Sequence, residues 1–535
     1  MNAKRHKYSY NILALLPLIL VLDIPFIVYV FKYGSWDNYA AVLISILIPF
    51  LLQAVLNLKL WQFVLVSIPV LYLTLSFDVL IFDFNSYYNI STWSAVFDTN
   101  PEESKEFLGI LRTVTWVTGL FQILTWLLYA GLSFKIKLQT YPFKFRILAG
   151  GLLILIVADW FRGGPVAQAY PFGHTLHSFL AYQQQSELEQ KLWKKKHTYI
   201  YNATENQEFV NDTLPKTIVV LITESLRRDH QSIYGYRHET TPLMQTENLV
   251  LYTDVISPAN QTVNSLRRVF SQAEGNNDTL YFAKPTVIKA FNEAGYQTAW
   301  YSTQSVGKNG ESKNSVIAKE CDTAVFRNNT FLDTILLQDL KNELKKETAK
   351  KLIFLHVFGV HYLYDHRFAE GFEKFSKQKT TDFKQDQINK YDDAIRYNDF
   401  LQSEILKLLK QQKGEKVFIT FSDHGESLFD SAPYIQGHGA LQPARVEFDV
   451  PFVLWFSKEY RQQHPNIYNN VLKNKDLPAI NSDFFYSFPY LFGIEFDELK
   501  PEKNFFGNKY NHKQKRWVVN SALDLLDYDK LPYKR

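Results

Sequence analysis

Thr217–Thr223 reads TIVVLIT and runs directly into Glu224 and Ser225. A continuous apolar, β-branched run of this kind is what a strand buried on both faces requires. The polar pair behind it marks where the strand stops. Similar runs recur downstream at Lys351–Phe358 (KLIFLHVF), Lys416–Phe421 (KVFITF) and Pro451–Phe456 (PFVLWF), with a further strand at Gln297–Ser302. Helical candidates fall between them, at 285–295, 331–348 and 387–411. In the last, Tyr391, Ile395, Leu401, Ile405 and Leu408 keep helical spacing. Alternating strands and helices predict an α/β domain with a mostly parallel sheet and helices on both faces.

Upstream of this domain the composition changes. Apolar runs dominate residues 1–160 and then stop. They predict a membrane anchor of about five spans, each near the ~20 residues that cross hydrocarbon. The spans are read at 11–31, 39–58, 61–82, 113–134 and 145–160, with a tight turn around Lys59 between the second and third. The first is too long for a cleavable signal peptide and lacks a small-residue cleavage site. Lys4, Arg5 and Lys7 precede the first span, and Lys135, Lys137, Lys144 and Arg146 lie between the fourth and fifth. The positive-inside rule puts both groups in the cytoplasm. Everything after Phe161 is then on the far side, which in a bacterium is the periplasm or the cell exterior. Loop 83–112 lies there too. It carries Asp83, Asp98, Glu102, Glu103 and Glu106 with Tyr87, Tyr88 and Trp93. It reads equally as a solvated acidic loop or as a contact for a cationic lipid head group.

A linker, 161–210, joins the anchor to a domain spanning 211–535. Within it, 174–197 reads as a helix, with Leu176, Leu180, Leu188 and Leu192 at helical spacing and Lys194–Lys196 near its end. Two placements fit: flat on the membrane with its lysines on anionic head groups, or packed on the soluble domain.

Bulk numbers exclude several classes. Lys+Arg total 58 against Asp+Glu 54 in 535 residues, a net charge of +4. That balance argues against a nucleic-acid binder working by bulk electrostatics. The aromatic content of 16% suits Tyr and Trp at a lipid–water boundary. A mean hydropathy of −0.18 suits an average over two unlike parts. The single cysteine, Cys321, excludes an intramolecular disulfide and any zinc site built on several cysteines. It reads as a buried thiol without chemistry.

In parallel sheets, ligands bind beyond the carboxyl ends of the strands. There the sequence places Glu224–Ser225 after the first strand and Gly359 and His361 after the 351–358 run, which holds His356 within it. Ser422–Asp423–His424–Gly425–Glu426 follow the 416–421 run, and Gly437–His438–Gly439 precede the last strand. Carboxylates and imidazoles converging on one edge suit a divalent metal. Such a metal polarises a phosphoryl oxygen and sharpens a nucleophile.

At these residues a resemblance becomes specific. Val219–Pro242 (VVLITESLRRDHQSIYGYRHETTP) resembles the opening motif of bacterial inner-membrane phosphoethanolamine transferases, within the alkaline phosphatase/sulfatase superfamily. Phe421–Leu428 (FSDHGESL), His356–His361 (HVFGVH) and Trp93–Glu103 (WSAVFDTNPEE) are similar to further motifs of that family. The resemblance covers nearly the whole chain. It implies an alkaline phosphatase/sulfatase-like fold behind a membrane anchor. It implies a metal, zinc or manganese, held by Glu224, Thr262, Asp423 and His424, with Thr262 also the nucleophile. Ser257 and Ser265 are the alternative hydroxyls. His361 and His438 match phosphoryl-site histidines, Gln304 and Lys308 a polar and basic pair beside the transferred group, and Thr99 and Glu103 the head-group loop. The implied reaction takes phosphoethanolamine from phosphatidylethanolamine through a threonine-bound intermediate to lipopolysaccharide, on lipid A or an inner-core sugar, or to a glycan.

There are departures. Relatives commonly carry disulfides and a Ser-Thr after the nucleophile, where Val263–Asn264 stand here. Ala95 replaces an Asn of some relatives, and the strict match to the second histidine is Gln436, two residues before His438. Rival readings are a phosphoglycerol transferase of the lipoteichoic acid synthase type and a catalytically inactive, sulfatase-like lipid sensor. A sulfatase is disfavoured because no Cys/Ser-x-Pro-x-Arg segment occurs.

Overall fold

In the computed structural model the residues described are 9–10, 12–33, 36–83, 87–98, 111–133, 135–162, 164, 172–304, 315–327, 332–431 and 435–533. The chain divides into two compact units, the second of which begins for the most part at Leu188.

The first unit is helical. Trp36–Leu56 and Thr113–Leu132 are long and apolar enough to cross a membrane. Two further apolar stretches are each broken: Leu13–Leu22 and Ile24–Phe31 meet at 64°, and Leu60–Val66 and Ile68–Phe82 at 44°. Pro25 and Pro69 sit just past the two breaks, where each ring removes a backbone donor and clashes with the preceding turn. Among the described residues this gives two to four candidate spans, against about five expected. The expected fifth, 145–160, does form a helix, Phe143–Phe161. Lys144, Arg146 and Asp159 lie on it, so it is less uniformly apolar than the others. Ser9–Tyr10 pairs in parallel with Lys137–Leu138.

The second unit is built on a seven-stranded sheet. Its strands are β1 (Lys216–Thr223), β2 (Val250–Tyr252), β3 (Gln297–Ser302), β4 (Thr323–Phe326), β5 (Lys350–His356), β6 (Glu415–Ser422) and β7 (Phe452–Phe456). The spatial order is β2-β7-β6-β1-β5-β3-β4. Neighbours from β6 to β4 pair in parallel, whereas β7 runs antiparallel to both β6 and β2. The sheet is therefore mixed, and the 451–456 run that looks like the other buried strands points the opposite way.

β1 lies at the centre with every residue buried. Ile218, Val220 and Ile222 face one hydrophobic cluster, and Val219 and Leu221 face the other. The strand alternation of period two thus feeds two cores, which is why the run shows no polar side. The helix Phe383–Lys410 covers one face with Leu401, Ile405, Leu406 and Leu409. The helices Thr262–Phe270 and Val287–Glu293 cover the other with Leu266, Phe270, Ile288 and Phe291. Cys321 is buried in the second core, as its solitary occurrence suggested.

Candidate metal centre and active site

β1 and β6 are paired in parallel with Ser422 opposite Thr223. The residues that follow each strand therefore emerge side by side. Glu224, Asp423 and His424 offer ligand atoms lying within 4.8 Å of one another, and all three side chains are buried. His424 Nδ1 is 2.8 Å from the Gly425 carbonyl, so the ring donates there and presents Nε2 to the cluster. Asp423 Oδ1 accepts from the His424 backbone N–H at 2.7 Å and from Ser225 N–H at 3.3 Å. Asp423 Oδ2 is buried without a hydrogen-bond partner among the described residues.

Two buried carboxylates this close cannot both ionise cheaply. Burial first, and the Asp423 charge second, push Glu224 up to about 8. Burial likewise lifts Asp423 to about 6. A divalent cation removes this penalty. An orphaned carboxylate oxygen, a second carboxylate and an imidazole lone pair fit zinc in kind and number.

Thr262 opens the helix Thr262–Phe270. Its Oγ1 is 3.2 Å from His424 Nε2 and 3.4 Å from Glu224 Oε1. It also sits at the positive end of the helix, where a developing negative charge is favoured. The rival hydroxyls point elsewhere. Ser257 Oγ and Ser265 Oγ are buried, 3.1 Å apart, and both donate to the Asp423 carbonyl. They brace the ligand loop from behind.

The two histidines beside this group are half-buried. His361 Nε2 is 3.6 Å from Glu224 Oε1, and its Nδ1 is 2.6 Å from the Tyr362 carbonyl. His438 stacks obliquely on His424, with ring centres 4.1 Å apart, and its Nδ1 lies 2.9 Å from Glu426 Oε2. Burial would lower His438, but the Glu426 hydrogen bond and the surrounding carboxylates outweigh it and raise it to about 9. Glu426 is held in turn by the Tyr364 hydroxyl at 2.8 Å. Gln436, the strict motif match, instead donates to Gln387 at 3.2 Å, leaving His438 as the histidine next to His424. Gln304 Nε2 donates to Glu224 Oε2 and, at 3.2 Å, to the Val357 carbonyl.

His356 does not join the site. Its ring lies edge-on to Trp300 at 5.6 Å, burial drives it down to about 3, and neither ring nitrogen has a partner among the described residues. As the last residue of β5 it faces the core, whereas His361, beyond the strand, does not. Lys308, Thr99 and Glu103 lie outside the described residues.

Two acids that sequence reasoning missed, together with Gly359, hold the loops in place. Asp333 is buried and accepts from Thr303 Oγ1 at 2.6 Å, Phe358 N–H at 3.0 Å and Gly359 N–H at 3.0 Å. It ties the end of β3 to the loop that carries His361. Glu447 Oε2 accepts from Asn260 at 2.8 Å and from Ala440 N–H at 3.1 Å, joining the Thr262 loop to the His438 loop. Gly359, at φ +58°, would place a Cβ 2.7 Å from the Glu224 backbone nitrogen. Only glycine permits that approach. The glycine was visible in the HVFGVH stretch. The two acids had no local signal, because their partners are distant in sequence.

This fold, with a parallel sheet edge presenting acids and histidines, defines a protein of the sulfatase class. The family model described as sulfatase matches residues 216–494, and the chain belongs to that family. More particularly, it is similar to phosphoethanolamine transferase EptC of Escherichia coli (strain K12), 26% identical over 480 residues covering 82% of this chain and 81% of that protein. The crystal structure of the C-terminal periplasmic domain of E. coli EptC in complex with Zn superposes with a TM-score of 0.57 at 26% identity, covering 62% of this chain and 97% of that one. The integral membrane lipooligosaccharide phosphoethanolamine transferase A (EptA) of Neisseria meningitidis shares the fold over 92% of this chain and 97% of its own, with a TM-score of 0.66 at 19% identity.

Proposed function

We propose that this protein is a membrane-anchored, zinc-dependent phosphoethanolamine transferase. It takes the group from phosphatidylethanolamine, holds it on Thr262, and delivers it to a lipopolysaccharide acceptor, lipid A or an inner-core sugar. Residues 1–160 are the multi-pass anchor in the bacterial inner membrane, 161–210 the linker, and 211–535 the periplasmic catalytic domain. The observation that supports this most is the position of the Thr262 hydroxyl, 3.2 Å from His424 Nε2 and 3.4 Å from Glu224 Oε1. The names of the relatives supply the substrate class.

Glu224, Thr262, Asp423 and His424 would hold the zinc ion. When bound, it polarises the phosphoryl oxygen and lowers the proton affinity of the threonine hydroxyl. In the first half-reaction Thr262 Oγ1 bonds to phosphorus as the bond from phosphorus to the diacylglycerol oxygen breaks. Diacylglycerol leaves with the proton and stays in the bilayer, which is the reason for the anchor. In the second, an acceptor oxygen bonds to phosphorus, the threonine ester breaks, and the proton returns to Thr262. His361 or His438, with ring centres 5.5 Å apart, relays these protons. Gln304 and Lys308 hold and neutralise the phosphoryl oxygens, and Thr99 and Glu103 hold the ammonium.

The test is covalent labelling of the purified full-length protein by phosphatidylethanolamine labelled in its head group. Wild type acquires one label, released by an acceptor, and Thr262→Ala acquires none. Labelling of Thr262→Ala at the wild-type level overturns the nucleophile, and failure of wild type to label overturns the donor. Mass spectrometry of lipopolysaccharide from cells with and without the gene then locates the acceptor.

A further inference from the structure

β1 and β6 have a second pair of ends. At their amino ends, roughly 25 Å from Glu224 by the rise of an eight-residue strand, stand another acid pair and another histidine. Glu415 opens β6 opposite Lys216. Asp212 lies four residues before Lys216. His464 sits at the junction of the helices Lys458–Gln463 and Pro465–Asn474. We propose that Asp212, Glu415 and His464 form a second divalent-cation site, of zinc type, that staples these three segments together. It stands independently of the transfer reading above.

The geometry is that of a ligand set. Asp212, Glu415 and His464 each offer one ligand atom, and these lie within 4.8 Å of one another. His464 Nε2 is 3.0 Å from Glu415 Oε1 and 3.8 Å from Asp212 Oδ2. Tetrahedral zinc with bonds of about 2.0–2.2 Å sets ligand atoms about 3.3–3.6 Å apart, between these two values. His464 is 1% exposed and Glu415 2%. Nevertheless, none of the three converging atoms has a hydrogen bond of acceptable geometry among the described residues. Buried polar atoms are almost always paired; beyond the charge contacts of Glu415 with His464 and of Asp212 with Lys216, a cation shared by the three would satisfy them together.

The tautomer fits as well. His464 Nδ1 lies 2.7 Å from Glu208 Oε1, and the ring stacks on Phe209 at 3.9 Å. A histidine that donates Nδ1–H to a carboxylate turns the Nε2 lone pair to a metal, the usual arrangement around ligating imidazoles. Charge completes the case. Glu208, Asp212 and Glu415 bring three negative charges. Among the described residues the lysine against them is Lys216, whose Nζ is 3.1 Å from Asp212 Oδ2 and donates to the Asp212 carbonyl at 3.2 Å. Asp212 Oδ1 is occupied by Leu214 N–H at 2.9 Å. Glu208 is half exposed and screened by water, so the buried excess lies between one and two negative charges, which one divalent cation covers. The rival is an imidazolium bridging Glu208 and Glu415. It brings one positive charge, where a divalent cation brings two. One imidazole with two carboxylates suits zinc over calcium or magnesium.

The test uses the full-length protein, equilibrated with buffered zinc and freed of excess, with metal counted by mass spectrometry. Wild type should carry one zinc per chain more than His464→Ala. The variant Asp423→Asn, altered at the other end of the strands, should keep the zinc that His464→Ala loses. Equal zinc in folded His464→Ala and wild type overturns the site in favour of the imidazolium. Should His464→Ala fail to fold, zinc-edge anomalous diffraction from wild-type crystals decides. A peak between Glu415 and His464 supports the site, and its absence overturns it.

Discussion

The two ends of the β1–β6 pair carry nearly the same residue types and differ in how they are enclosed. Beyond the carboxyl ends stand Glu224, Asp423 and His424, and before or at the amino ends Asp212, Glu415 and His464. At the carboxyl end the group opens outward. His361 and His438 are 32% and 21% exposed, and the Thr262 hydroxyl lies 3.2 Å from His424 Nε2 and 3.4 Å from Glu224 Oε1. At the amino end the histidine is sealed at 1% exposure and stacked on Phe209. Structural metal sites are closed by protein ligands and reactive ones keep an open position. On the two proposals above, access more than residue type separates a site for chemistry from a site for cohesion.

That contrast can be broken from either end. The largest effect is expected at the open end. Thr262→Ala should cut phosphoethanolamine transfer at least about 1,000-fold, as loss of a nucleophile does. It should leave the unfolding free energy within about 0.5 kcal/mol of wild type. A parallel drop in chemical-denaturation midpoint would make Thr262 a structural residue. The sealed end should behave in reverse. His464→Ala leaves Glu415 buried beside Glu208 and Asp212 and should cost about 3–5 kcal/mol in stability, with transfer per folded molecule within about two-fold of wild type. A selective loss of transfer would mean the two ends communicate.

Between these extremes lies Asp333, which holds the His361 loop without facing the ligands. Asp333→Ala orphans the Phe358 and Gly359 N–H groups and should cost about 1–3 kcal/mol. Because it displaces that loop, kcat should fall about 10- to 100-fold, while zinc content stays whole. Unchanged kcat would show that the loop is fixed without it.

The smallest effect sharpens the metal assignment. In chelator-treated protein, Glu224→Gln should be more stable than wild type by about 1–3 kcal/mol, because burial and Asp423 oppose the charge. Glu224 rises in the folded protein from 4.5 to about 8. Its contribution is therefore fully present below about 4.5 and lost as pH climbs to about 8, so the gap to Glu224→Gln should widen over that interval. Zinc should close or reverse it. Thermal denaturation across pH, with and without zinc, reads this directly.

Some of the site was plain in the sequence. Glu224 and the Asp423–His424 pair terminate apolar runs, and a carboxylate there has nowhere apolar to go. His361 was legible because it lies beyond its strand. His356, read inside its strand, is the strand's last residue and is buried against Trp300. Thr262 had no local mark among neighbouring hydroxyls and was reached through resemblance alone. Asp333 and Glu447 gave no signal at all, because each acts on backbone groups that the chain brings in from elsewhere.

The sequence by itself determined the division into an apolar helical part and an α/β part, the central strands, and the acids and histidine at their carboxyl ends. These follow from local periodicity and from the cost of burying charge, and both are written in consecutive residues. Only the tertiary structure decided that β7 runs against β6, that the hydroxyl of Thr262 and not of Ser257 or Ser265 lies beside Glu224 and His424, and that His464 comes to Asp212 and Glu415. Those facts depend on which surfaces pack together. His464 lies 252 residues from Asp212, and no pattern along the chain records a contact made across it.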